Sequence, residues 1–242
     1  MGADCLLSTA SLAGSLLLLG LALGSGMVRC GQVYARRLAA GAAPDARTLW
    51  QAIRLAHRAP LRLGRDAPMA VLCGGLGAGL AIWGGAAGAA LFCLCLVLLA
   101  LACIDGHSGL LPDALTLPLM VAGWCLGLEA RPWVAAAASA LVWGGLAGLA
   151  ALYCRWRGQD GLGGGDVKCL AAMSGWLGVS ATLHVLWAAC VLGIVCHAVR
   201  AWRRHAGWSC AAYPFGPFLA AAAVPWVVWA VCIGPWPACI GS

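Results

Sequence analysis

Of the eight acidic residues in this 242-residue chain, two stand where a carboxylate has a chemical use. Asp166 ends the glycine run Gly161-Leu162-Gly163-Gly164-Gly165 and is followed by Val167 and Lys168. Glycines lack a Cβ, so this backbone can bend sharply and present the acid at a pocket wall. Asp105 closes the apolar run Leu96 to Ile104 and opens the segment Gly106-His107-Ser108-Gly109-Leu110-Leu111-Pro112-Asp113. Each acid sits between two long apolar segments. Two carboxylates held close cannot both ionise cheaply, so they share a proton: one acts as base on a water, the other as acid toward a carbonyl oxygen. That is aspartic-protease chemistry, which needs no metal, nucleophilic serine or bound cofactor.

No competing constellation is visible. The five histidines (His57, His107, His184, His197, His205) show no HExxH spacing, and no serine stands in a GxSxG setting. The glycine run departs from the dinucleotide pattern, with Asp166 where a third glycine would stand, and it lacks the Gly-Lys-Ser/Thr of a phosphate loop. Fourteen cysteines include no CxxC pair, which argues for small buried side chains and against a disulfide framework or metal site. The net charge of +7 comes from residues between apolar runs, without aromatic interleaving, so no nucleic-acid partner is expected.

The elements that must carry the two acids are set by composition. The chain is 63% apolar and 10% charged, with a mean hydropathy of +0.90. Lipid offers no hydrogen bonds to backbone, so membrane-crossing segments must be helices or a closed barrel, and long unalternating Ala/Leu/Val/Gly runs exclude the barrel. The expectation is an all-α polytopic bundle of about eight transmembrane helices in contact with a lipid bilayer. The runs lie at about 5–28, 68–86, 88–104, 114–129, 133–153, 169–180, 181–199 and 215–233. The first is read as a retained helix, because no basic residue precedes it. Gly75/Gly79 and Gly84/Gly88 have the four-residue spacing that lets helices pack closely.

Threading these spans alternately puts fourteen of the fifteen Lys and Arg residues on one face, with only Arg131 on the other. The positive-inside rule makes that face cytoplasmic and puts Asp105 and Asp166 both at it. The loops concerned are 29–66, 105–113, 154–167 and 200–214. Around the pair, Gly161, Gly163 and Gly165 are expected to shape the turn. Asp113, after Pro112 and before an apolar run, is expected to N-cap the next helix. Lys168 serves either as a basic flank or as a partner of the acids or the substrate. Residues 31–66, with seven arginines among Leu, Ala and Ile, suit a basic amphipathic segment lying on an anionic membrane surface.

Several of these motifs together resemble the type IV prepilin peptidases. Gly163-Gly164-Gly165-Asp166 matches the GxGD motif, and Asp105 through Pro112-Asp113-Ala114-Leu115-Thr116-Leu117-Pro118-Leu119 resembles the "D, six residues, PD, LTLPL" signature. Leu23-Gly24-Ser25 looks like the family's "GS" near the end of the first span, and Pro214-Phe215-Gly216-Pro217-Phe218-Leu219-Ala220 resembles its "PFGPFLA". The resemblance covers about residues 70–233 well and the first 66 weakly. It implies a membrane aspartic endopeptidase of the bacterial cytoplasmic (inner) membrane, with Asp105 and Asp166 as catalytic pair and Gly163, Gly165, Lys168 and Asp113 as supporting motif. Its substrates would be prepilins or pseudopilins, which lose a short basic leader after a glycine at the cytoplasmic face.

Bifunctional members of that family carry two CxxC pairs in the first cytoplasmic loop and a "YPLVE" stretch linked to N-methylation. This chain has no cysteine between Cys30 and Cys73 and no glutamate around Pro68-Met69-Ala70-Val71. The expected organisation is therefore a reduced methyltransferase-like region, 1–66, followed by a peptidase membrane domain, 67–242. Proteolysis would need no cofactor, and S-adenosylmethionine would enter only if methyl transfer is retained. Two rival readings are a proton-coupled transporter, which predicts acids in mid-span and internal repeats, and a catalytically silent assembly protein, which has little reason to retain the acid pair.

Overall fold

The computed structural model describes residues 3–127, 131–158, 161–204 and 213–233. Among them the chain forms seven helices: α1 (Ala3–Ala39), α2 (Ala46–Arg58), α3 (Leu63–Ser108), α4 (Asp113–Leu126), α5 (Pro132–Arg157), α6 (Gly164–Arg204) and α7 (Gly216–Cys232). α1, α3, α5 and α6 are long and apolar enough to cross a membrane, while α4 and α7 are shorter apolar helices. The chain is a multi-pass helical membrane protein.

Two of the long helices are each two arms. α3 breaks at Gly85, whose φ of 54° and ψ of −130° lie outside the helical region and suit only a residue without a Cβ. Beyond it Gly88 lies against the carbonyl of Leu80. Eight residues of straight helix rise about 12 Å, so this contact requires the chain to double back. α6 breaks likewise at Gly178 (φ 81°, ψ 166°). The arms expected as separate spans at 68–86 and 88–104, and at 169–180 and 181–199, thus correspond to the two sides of these breaks.

Helix α1 is wedged between the arms of α3. Gly24 and Gly77 sit where a Cβ would come 2.8 Å from the Met69 carbonyl and 2.6 Å from that of Leu16, and Gly31 packs directly on the Cys103 carbonyl. Gly75 and Gly79, expected to mediate packing, face open space instead: a Cβ added at either would meet no atom within 4 Å. The reason is one of phase: Gly74 and Gly77 occupy the face that meets α1, and a four-residue spacing alone does not say which face is turned inward.

The segment 29–66 is mostly helical instead of a long loop. α1 continues through Arg36 and Arg37, and after a short turn Asp45 accepts the Thr48 N–H at 2.8 Å to start α2. Thr48, Leu49, Ala52 and Ala56 form the buried stripe of α2, which packs on Cys30 and Tyr34 of α1 and Ile104 of α3. This stripe is covered by protein, while Trp50 and Leu55 of the same helix remain exposed. α6 likewise runs to Arg204, so residues 200–204 are helix; residues 205–212 of the expected 200–214 loop lie outside the described residues.

Candidate active site

Helix α3 ends at Ser108, with Gly109 at φ 66° donating its N–H to the Asp105 carbonyl at 2.7 Å. Asp105 therefore sits in the last turn of the helix, where it is 5% exposed. Only residues 109–112 link it to α4. Helix α6 begins at Gly164, which puts Asp166 in the first turn, with the Val167 N–H bonded to the Gly163 carbonyl at 3.2 Å. The intervening helices α4 and α5 carry the chain away and back, so the end of α3 and the start of α6 meet. Gly165 lies where a Cβ would stand 3.0 Å from Leu111, in the segment that follows Asp105.

The result is one cavity of about 390 Å³. Asp105, Asp113, Gly163, Gly165, Asp166 and Lys168, the six residues singled out from the sequence, all line it. Gly161 stands slightly apart, beneath the ring of Tyr153, which a Cβ would meet at 2.6 Å.

The structure changes one role and decides another. Asp113 is the first residue of α4, and the N-cap position belongs to Pro112, which makes no side-chain cap. The Asp113 carboxylate instead accepts Lys168 Nζ on both oxygens at 2.8 Å. The capping expectation failed because tertiary folding supplied a cation, and a charge-assisted bond outweighs a cap to a neutral N–H. Lys168 is thus the clamp between the two motifs, joining the start of α4 to the start of α6.

Asp105 is held from a fourth element. The Gly216 N–H, at the start of α7, donates to Asp105 Oδ2 at 2.7 Å, and a Cβ on Gly216 would stand 2.9 Å from that same oxygen. One carboxylate oxygen is engaged by backbone, which fixes the orientation of the side chain. The Asp166 carboxylate accepts no hydrogen bond among the described residues. The two acids therefore face one solvent-sized space with little else to satisfy them.

Residues 91–198, which span both acids, match the Type IV leader peptidase family. The chain is also 43% identical over 169 residues to a prepilin leader peptidase/N-methyltransferase of Burkholderia pseudomallei (strain 1026b), covering 66% of this chain and 53% of that protein. The matched segment, which carries both acids, is therefore similar to the type IV leader peptidases. Similar proteins of the same name include one from Klebsiella pneumoniae, 43% identical over 93 residues (37% of this chain, 41% of the relative), and one from Neisseria gonorrhoeae, 32% identical over 146 residues (58% and 48%). The chain spans about half the length of the curated relatives it matches. No solved structure matches it significantly.

Three residues around the cavity were not legible as site residues. Gly216 lies in the PFGPFLA segment, which signalled importance without a role. Tyr34 and Pro44 line the cavity from α1 and the α1–α2 turn, outside the segment that matches the family. Nothing in their local sequence distinguishes them. Among the described residues no group of three or more His, Cys, Asp or Glu is placed to hold a metal ion.

Proposed function

We propose that this protein is a membrane-embedded aspartic endopeptidase that removes the leader peptide of type IV prepilins or pseudopilins, with Asp105 and Asp166 as its catalytic pair. The observation that carries this reading is that two under-partnered carboxylates from distant motifs share one cavity, in a chain whose residues 91–198 match the leader peptidase family. In the reaction, the base takes a proton from water as its oxygen bonds to the scissile carbonyl carbon, and the other acid protonates the carbonyl oxygen. Collapse of the resulting diol breaks the C–N bond, and the leaving nitrogen takes up a proton. Because the acids act as one unit, neither role is assigned to one residue.

The finer reading places the cavity at the cytoplasmic face of a bacterial inner membrane. Its support is that the ends of α1, α3 and α5 and the starts of α4, α6 and α7 gather there, with the basic residues concentrated at that end. In this reading residues 1–66 are a reduced counterpart of the methyl-transfer region. The absence of cysteine between Cys30 and Cys73 supports loss or reduction of that activity, and S-adenosylmethionine would be used only if it persists.

Co-expression with a candidate prepilin, followed by mass spectrometry of its N-terminus, tests both parts. The expected product begins after the leader and carries a free amine; a product heavier by one methyl group, made by this enzyme alone, would show that methyl transfer persists. Normal processing by Asp166→Ala would falsify the peptidase reading.

A further inference from the structure

Tyr34 is fully buried, packed in the small cluster of Cys30, Leu49, Ala52, Ala56 and Ile104. Its hydroxyl has no hydrogen-bond partner. Buried polar groups are nearly always paired, so such an orphan in a native fold calls for a reason. The other buried orphan among the described residues, the Thr116 hydroxyl, does not line the catalytic cavity, whereas Tyr34 does, together with Pro44.

Donors matter in this cavity. An extended polypeptide laid across the two acids brings backbone carbonyls that lose water on entry and need replacement donors. Of the side chains that line the cavity only Tyr34 and Lys168 can donate, apart from a protonated acid, and Lys168 is bound to Asp113. The Gly216 N–H, next to the site, is bound to Asp105. The tyrosine hydroxyl is the uncommitted side-chain donor, and its ring is held rigidly by three helices. A rigid donor loses little freedom on binding.

We propose that Tyr34 is a substrate-contacting residue whose hydroxyl donates a hydrogen bond to a backbone carbonyl of the polypeptide held across Asp105 and Asp166. This rests on the peptidase reading. It places part of the substrate site on α1, in the region outside the family-matched segment.

Tyr34→Phe removes the oxygen and nothing else. The contact is made to the bound ground state as well as to the transition state, so its loss raises KM with kcat kept. The expected result for prepilin cleavage in detergent or vesicles is a KM raised roughly tenfold, the worth of about one neutral hydrogen bond, with kcat within about twofold. The thermal midpoint should be unchanged or higher, since an unpaired buried hydroxyl has been removed. Thr116→Val, the control, should leave KM unchanged. An unchanged KM for Tyr34→Phe overturns the proposal, as does a fall in kcat at constant KM, which would make Tyr34 a support for the acids alone. A lowered midpoint overturns it too, by showing that the hydroxyl has a partner within the fold. If the wild-type protein cleaves no prepilin, the peptidase reading itself fails, an outcome distinct from these.

Discussion

Two buried aspartates at opposite ends of the same arm pair, Asp66 and Asp105, differ in how fully their carboxylates are partnered. Both belong to α3 and are almost wholly enclosed, at 1% and 5% exposure. Asp66 is saturated: Arg29 Nε stands 3.3 Å from it, Arg65 Nε 3.1 Å, and the Arg62 N–H donates at 2.9 Å. Arg29 also binds the carbonyls of Ser25, Ala59 and Pro60, so this cluster ties α1 to the turn between α2 and α3. Asp105 has one donor to its side chain among the described residues, the Gly216 N–H, and a second acid across a cavity. A charge that serves the fold is surrounded by partners, whereas the unused valence at Asp105 is what the proposed catalytic role requires.

The largest effects are expected at Asp105 and Asp166. Asp105→Ala and Asp166→Ala should each lower prepilin cleavage by at least about a thousandfold with the protein still folded and inserted, and the double variant should be no worse than either. Additive losses would show two independent sites. Asp66→Ala should do the reverse. Removing one partner of a buried pair costs on the order of 3 kcal/mol, seen as a lowered midpoint and reduced yield, while the folded fraction cleaves with near-normal kcat. A kcat collapse in stable protein would erase the distinction drawn between the two acids.

Smaller effects are expected at the neighbours of the pair. Gly216→Ala pushes a methyl group against Asp105 Oδ2, and should lower kcat by roughly 10 to 100-fold through misplacement of the acid, without a matching loss of stability. Smallest of all is the Lys168–Asp113 clamp, whose side chains are 39% and 53% exposed. Asp113→Asn or Lys168→Met should change stability by no more than about 1 kcal/mol and retain cleavage within about tenfold. Larger losses, measured in the same kinetic assay, would move this pair into the catalytic group.

Much was decided locally. Long apolar runs specify membrane helices because the bilayer leaves the backbone no other partner, and the two helices between Asp105 and Asp166, α4 and α5, bring the acids to one end. The GxGD and PD motifs could be read because glycine, proline and acid at membrane boundaries have few other uses. What only tertiary structure decided are the partners. Arg29 reads as one more basic flank residue, yet it is buried against Asp66; Asp113 reads as a cap, yet it meets Lys168 from a helix 55 positions away in sequence. Gly216 reaches Asp105 from 111 positions away, and Tyr34 reaches the cavity from α1, at the other end of the chain. No local pattern encodes such distances. Sequence periodicity reports the kind of surface a helix carries; which neighbour covers that surface depends on the packing of the whole bundle.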